Sequence, residues 1–138
     1  MTAIRPGGAA DLPAVAAIQL ASPGAAHWNP ADYLNCEFWV ALLDNSVSGF
    51  LVARTLVADE REILNVAVAP GSRRNGVAQA LFDTAFRGFS GSVFLEVRES
   101  NRVAQEFYKS LGFQEVSRRS HYYENPPESA IVMKFHSC

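Results

Sequence analysis

One stretch limits what this chain can fold into more than any other: Ile63-Leu64-Asn65-Val66-Ala67-Val68-Ala69-Pro70-Gly71-Ser72-Arg73-Arg74-Asn75-Gly76-Val77-Ala78-Gln79-Ala80-Leu81. Its opening run, Ile63 to Val68, is too continuously apolar for a half-exposed strand, which predicts a strand in the middle of a sheet. Pro70 stops it. After a basic loop, Val77, Ala78, Leu81, Phe82, Ala85, Phe86 and Phe89 recur at helical spacing, and Gly88, Ser90 and Gly91 end that helix. Strand, tight turn, glycine loop and helix, in that order, can hold an anion, because a helix leaves its first N–H groups unpaired and its dipole positive at that end. Gly76 lets the backbone come close, the small Ala78 keeps a second approach point open, and Arg73 and Arg74 bring positive charge to the mouth. A plain strand-to-helix connection needs no ligand, so the pattern alone leaves both readings open.

The chain has 138 residues, enough for one compact domain with a proper core and too few for two ordinary ones, so residues 1–138 are read as a single domain. A composition of 49% hydrophobic and 19% charged residues places it among folded globular proteins. The net charge of −2 gives no general attraction to nucleic acid or to an anionic membrane. Cys36 and Cys138 form no metal-ligand spacing with His27, His121 or His136, so no metal site and no disulfide framework are implied. Pro6, Gly7, Gly8 and Asp11 interrupt any signal-peptide core, and runs such as Phe38 to Leu43 are far too short to span a bilayer. A cytoplasmic location is the expectation.

Along the chain, Ile4-Arg5-Pro6 is a short first strand, and an amphipathic helix follows from about Asp11 with Leu12, Val15, Ile18 and Leu20 facing inward. Ser22 to Tyr33 reads as a loop with a helical turn entered at Asn29-Pro30. Its Trp28 either covers a core edge or lines a substrate mouth. Phe38 to Leu43 and Ser48 to Leu56 form a hairpin turned at Asp44-Asn45-Ser46, and Asp59-Glu60-Arg61 makes the turn before the central strand. Ser92 to Val97 is the next strand. Ser100 or Asn101 caps a helix whose apolar line is Val103, Phe107 and Leu111, and Gly112 ends it. Phe113 to Val116 and Ala130 to Phe135 are the last strands, separated by a loop through Asn125-Pro126-Pro127. This order requires an α/β fold, a mixed sheet with helices on both faces.

Glu96 interrupts Val93-Phe94-Leu95-Glu96-Val97, where a carboxylate is unexpected. Either it pairs with Arg98 or another arginine, or burial raises its pKa and makes it a proton acceptor near neutral pH. Tyr108 sits at the border of the following helix's apolar stripe, as a core tyrosine or with its hydroxyl facing a cleft.

Taken together, Val66-Ala-Val68, Arg73-Arg-Asn-Gly76-Val-Ala78, Leu95-Glu-Val-Arg-Glu-Ser-Asn101 and Phe107-Tyr108-Lys-Ser-Leu-Gly112-Phe113 resemble the GNAT acyltransferases. With Arg118-Arg119-Ser120-His121-Tyr122-Tyr123 and Ala130-Ile131-Val132-Met133, the chain resembles the RimI-like branch, which acetylates the N-terminal amine of a small-subunit ribosomal protein. Nearly the whole chain takes part, the first half most loosely, through Asp11-Leu12-Pro13 and His27-Trp28-Asn29. The resemblance implies a GNAT-type, mostly antiparallel twisted sheet of about six to seven strands with helices on both faces. It implies acetyl transfer from acetyl-CoA, with CoA as product, to a primary amine by direct attack, without an acyl-enzyme or a metal.

By the same resemblance, Val66, Ala67 and Val68 offer backbone groups to the acetyl and pantetheine portion, and Arg74, Asn75, Gly76, Val77, Ala78 and Gln79 cradle the pyrophosphate with Arg73 at the rim. Asn101 contacts the cofactor, Glu96 accepts the proton of the incoming ammonium, and Tyr108 protonates the departing thiolate. Trp28, Tyr122 and Tyr123 frame the acceptor. Ala78 stands where many members of the family have a second glycine, and Arg73 where glutamine is often found. The expected acceptor is a peptide or protein N-terminus, with a ribosomal protein as the leading case. A small-molecule amine as acceptor, or a non-catalytic acyl-CoA-binding module, stand as alternatives. No nucleic-acid or membrane partner is expected, and the oligomeric state stays open with a monomer favoured. The glycine loop lacks the three-glycine spacing of a dinucleotide fold.

Overall fold

The computed structural model describes residues 2–22, 28–73, 75–123 and 127–137. His27, Arg74, Asn125, Pro126 and Cys138, all named above, lie outside the described residues. Seven strands, β1 (Thr2–Pro6), β2 (Glu37–Leu43), β3 (Ser46–Val57), β4 (Glu60–Val68), β5 (Gly91–Arg98), β6 (Gln114–Tyr123) and β7 (Glu128–Ser137), alternate with three helices, α1 (Leu12–Leu20), α2 (Val77–Ala85) and α3 (Arg102–Ser110). The strands join in the order β1-β2-β3-β4-β5-β7-β6. The pairs β1–β2, β2–β3, β5–β7 and β6–β7 are antiparallel, while β4 and β5 are parallel. The α/β reading and the mostly antiparallel sheet of six to seven strands agree with this architecture. Among the described residues no helix is long and apolar enough to cross a membrane.

The chain divides into two compact units, Met1–Arg54 with Ile63–Gly88, and Thr55–Glu62 with Phe89–Cys138. In the first unit the β2–β3 hairpin turns at Asp44 and Asn45, whose φ values of 52° and 67° match the twist of the strands they join. Strand alternation then sends Phe50 and Val52 to one face of β3, where they pack with Val15 and Ile18 of α1 and with Tyr33, Phe38, Val40 and Ala67. Each such buried side chain contributes about 1.5–3 kcal/mol. Helix α2 meets Gly49 of β3, where an added Cβ would lie 3.0 Å from Val77 Cγ1 and from the Ala67 carbonyl oxygen. That glycine admits α2 to the sheet.

In the second unit, Glu60–Glu62 of β4 run parallel to Ser92–Phe94 of β5, and β5 pairs with β7 from Gly91↔Ser137 to Arg98↔Ala130. Along β5, Val93, Leu95 and Val97 are buried, while Ser92, Phe94, Glu96 and Arg98 are half-buried. The strand therefore alternates rather than being apolar on both faces. The registers put Glu96 and Arg98 of β5, Ala130 and Val132 of β7, and Ser117 and Arg119 of β6 on one face of three adjacent strands.

Four local expectations need correction. Leu20 is 79% exposed, because Gln19 takes the inward position of the last turn of α1 and hydrogen-bonds there. Val103 is 81% exposed, and Ala104 is the buried residue of α3, because Asn101 caps the helix from a rotation that turns Val103 outward. The turn before the central strand is Ala58-Asp59, with Glu60 and Arg61 already in β4, since their backbone pairs with β5. Strand β6 continues past Val116 to Tyr123, although Gln114–Tyr122 are all exposed. An edge strand held by its backbone ladder to β7 carries no apolar alternation to read, and the shift of register between Arg119 and Tyr123, with His121 at φ 54°, hides its end further.

Candidate active site

The first unit carries the residues expected to hold the donor. Val66 and Ala67 are buried and Val68 is half-buried at the end of β4. Arg73 folds back on this strand: its Nε donates to the Val68 carbonyl oxygen at 3.2 Å and its Nη2 to Ser22 Oγ at 3.4 Å. Asn75 and Gln79 are exposed, with Gln79 bonded to Asp83 (2.8 Å), whereas Val77 and Ala78 point into the core. Gly76 precedes α2 at φ 72° and ψ 14°, a left-handed conformation that favours glycine, and no side chain caps the helix. Among the described residues nothing stands within 4 Å of where a Cβ on Gly76 would lie. Open backbone N–H groups at the positive end of a helix, reached past a residue without a side chain, fit a pyrophosphate.

Trp28 lies in the same unit. It is half exposed, its indole Nε1 donates to the Leu64 carbonyl oxygen at 3.2 Å, and its own carbonyl accepts from Gln19 Nε2 at 2.8 Å. Gln19 belongs to a buried network, its Oε1 accepting from the Tyr33 hydroxyl (2.5 Å) and from Asn65 Nδ2 (3.1 Å). This network ties α1 and the segment 30–35 to β4. The sequence contained its signal, since Asn65 interrupts an apolar strand as Glu96 does, but only the fold shows what the amide meets.

The second unit brings together Glu96, Tyr108, Tyr122 and Tyr123. The Glu96 side chain is 17% exposed; its Oε1 accepts from Arg119 Nη1 at 2.8 Å, and its Oε2 is sealed from solvent with no hydrogen-bond partner among the described residues. The expected ion pair is thus present, but with Arg119, because Arg98 is engaged by Glu128 at 3.1 Å. The Arg119 guanidinium lies 4.3 Å from the centre of the Tyr122 ring, and that of Arg98 lies 4.4 Å from the Tyr123 ring. Tyr122 and Tyr123 meet edge to face at 5.1 Å.

Burial pushes the Tyr123 phenol up to about 12, and the negative charge of Glu96 adds to the effect. Burial, followed by the Glu96 charge, also raises Tyr122. Tyr108 is half-buried against Phe107 and Phe113, and desolvation pushes its phenol well above the ordinary value, with Tyr123 adding to it. Glu96 is therefore linked electrostatically to Tyr122 and Tyr123, and Tyr123 to Tyr108. Asn101 Oδ1 accepts from the Ala104 N–H at 3.1 Å, so that atom caps α3.

Arg119 is the residue that reading the sequence for chemistry missed. Its presence in an arginine pair on a polar stretch was the available signal, and the strand register that aims it at Glu96 was not visible there. Among the described residues no group of His, Cys, Asp and Glu side chains is arranged to hold a metal ion.

The profile of the Acetyltransferase (GNAT) family matches residues 15–113. A protein of Haemophilus ducreyi, named [Ribosomal protein bS18]-alanine N-acetyltransferase, is 34% identical over 111 residues, covering 75% of this chain and 73% of that one. The crystal structure of the ribosomal-protein-S18-alanine N-acetyltransferase from Escherichia coli superposes with a TM-score of 0.78 at 29% identity, covering 99% of this chain and 94% of that one. That of Ard1 from Thermoplasma volcanium superposes with a TM-score of 0.86 at 30% identity, covering 99% and 98%.

Proposed function

Because the chain belongs to the GNAT acetyltransferase family and is an acetyl-CoA-dependent N-acetyltransferase, we propose that its acceptor is the N-terminal α-amine of a protein. The leading candidate is the N-terminal alanine of a small-subunit ribosomal protein, acetylated in the cytoplasm with residues 1–138 working as one domain. The named activity of the similar proteins from Haemophilus ducreyi and Escherichia coli supports this acceptor. The observation that carries the catalytic half is Glu96, a half-buried carboxylate on β5 with one oxygen sealed from solvent, in the neighbourhood of two tyrosines whose phenols burial, and then its charge, raises.

Acetyl-CoA supplies an activated acetyl thioester. The open end of α2 from Gly76 to Gln79 binds its pyrophosphate, with Arg73 at the rim, and Asn101 makes a further cofactor contact. Backbone groups of Val66, Ala67 and Val68 orient the thioester, and an N–H there stabilises the carbonyl oxygen as charge builds on it. Glu96 takes the proton of the incoming ammonium and frees the nitrogen lone pair for direct attack. Tyr108, held in its proton-bearing form by desolvation, donates to the departing sulfur. Trp28, Tyr122 and Tyr123 frame the entering chain.

The test is mass spectrometry of a panel of peptides and small amines incubated with enzyme and acetyl-CoA, starting with peptides that begin with alanine. Glu96→Gln is expected to lower kcat on the peptide by about a hundredfold or more while the KM for acetyl-CoA stays near the parent value. A parental turnover rate removes Glu96 as the base. Acetylation of small amines alone removes the protein N-terminus as acceptor.

A further inference from the structure

The surroundings of Glu96 already contain a bound cation, and that cation belongs to the protein. A carboxylate beside aromatic rings is the chemistry that recognises an ammonium group. Here the carboxylate is Glu96, the ring is that of Tyr122, against which Tyr123 packs edge to face with Arg98 on its own ring, and the guanidinium of Arg119 occupies the place, 2.8 Å from Glu96 Oε1 and 4.3 Å from the Tyr122 ring centre.

The two oxygens of Glu96 are not equivalent. Oε2 is sealed from solvent and meets no partner among the described residues, so a cation arriving from outside meets Glu96 at Oε1, the oxygen that Arg119 holds. Arg119 is the movable member of the pair. Its side chain is 55% exposed against 17% for Glu96, it stands on the edge strand β6, and the ladder to β7 shifts register just beyond it. Ion pairs with one exposed, flexible partner are weak, and screening weakens them further. The neighbouring arginines are not placed to do the same, since Arg118 pairs with Glu99 at 3.0 Å and Arg98 with Glu128.

We propose that Glu96, Tyr122 and Tyr123 form the seat for the acceptor's ammonium group, and that Arg119 is an internal placeholder which the substrate's cation displaces from Glu96 Oε1. The inference rests on the reading of Glu96 as the group that receives the acceptor amine. Arg119 balances the Glu96 charge while the seat lacks a substrate, and it competes with every cation that enters. It is a positioning residue, acting on the acceptor through Glu96.

The test is calorimetric titration of the CoA-loaded enzyme with a synthetic peptide bearing a free N-terminal alanine, with the same peptide N-acetylated, and with a polyamine as a small primary amine. Arg119→Met keeps the aliphatic stem and removes the charge. It is expected to tighten binding of the free-amine peptide about three- to fivefold and to leave the acetylated peptide, which has no cation, unchanged. Arg119→Lys, which can still reach Glu96 with a charge, is expected to keep the parental affinity. Unchanged or weaker binding of the free amine by Arg119→Met overturns the placeholder, as does an equal gain for the acetylated peptide. If the polyamine binds the parent and the peptide does not, the peptide acceptor is wrong. The gain on Arg119→Met is then read on the polyamine, where its absence overturns the placeholder independently.

Discussion

Helices α2 and α3 are each nine residues long, and their N-terminal ends are built in opposite ways. At α3 the protein satisfies its own donors: Asn101 Oδ1 accepts from the Ala104 N–H, and Glu128 Oε2 accepts from the Ser100 N–H at 2.7 Å. At α2 the residue before the helix is Gly76, which has no side chain to offer and holds φ at 72°. The turn leading into α1 resembles α3, with Asp11 accepting from the Gly8 N–H at 2.8 Å and from Arg5 at 2.8 and 2.9 Å. A helix end can be closed by a neighbouring side chain, as at α3 and in the turn before α1, although α1 itself starts without a side-chain cap. One left open, behind a glycine with free space around it, suits a ligand that brings its own negative charge.

That contrast can be broken most sharply at Gly76. Gly76→Val places a β-branched residue in the left-handed region and a side chain at the mouth of α2. We expect the KM for acetyl-CoA to rise at least about tenfold, alongside a stability loss on the order of 1–2 kcal/mol. A thermal shift without any change in donor KM would mean that the open end of α2 does not hold the donor.

A smaller effect is expected at the closed end. Asn101→Ala removes the α3 cap and is expected to lower stability by about 1 kcal/mol, roughly 2–5 °C in Tm, while Asn101→Asp keeps an acceptor and restores most of it. The donor KM of Asn101→Asp sharpens the comparison: if it stays raised when stability returns, Asn101 serves the cofactor as well as the cap.

The smallest expected effect lies at the turn into α1. The Arg5 hydrogen bonds hold the Asp11 carboxyl below the ordinary carboxylate value, against the opposing effect of burial, and the Gly8 N–H adds to the lowering. A group whose folded pKa is depressed stabilises the fold above its unfolded pKa, about 4, and loses that contribution as pH falls through the folded value. Asp11→Asn is therefore expected to melt about 2 °C below the parent at neutral pH, the gap closing in acid when Tm is followed against pH. A gap that widens in acid would mean that the carboxylate form of Asp11 does not stabilise this end.

How much was legible depended on whether the signal was local. Ile63 to Val68, the stop at Pro70, Gly76 and the periodicity from Val77 are local, and the strand, the turn and the start of α2 stand where the sequence places them, although β4 begins earlier, at Glu60, and α2 ends at Ala85, before Phe86 and Phe89. Glu96 and Asn65 were visible as polar residues among apolar neighbours, but a partner more than twenty positions away leaves no trace in local periodicity. The second half of β6 was invisible because an exposed edge strand needs only backbone pairing.

By itself, then, the sequence determined the succession of elements, the open glycine-led end of α2, the cap at Asn101 and the family, because each follows from the order and size of neighbouring residues. The tertiary structure alone decided that Gln19, Tyr33 and Asn65 share one network, that Trp28 reaches the Leu64 carbonyl, and that Arg119 rather than Arg98 holds Glu96. Those contacts depend on strand register and on the rotation of each helix about its axis. One residue of slip in its strand would send Asn65, Glu96 or Arg119 to the other face of the sheet.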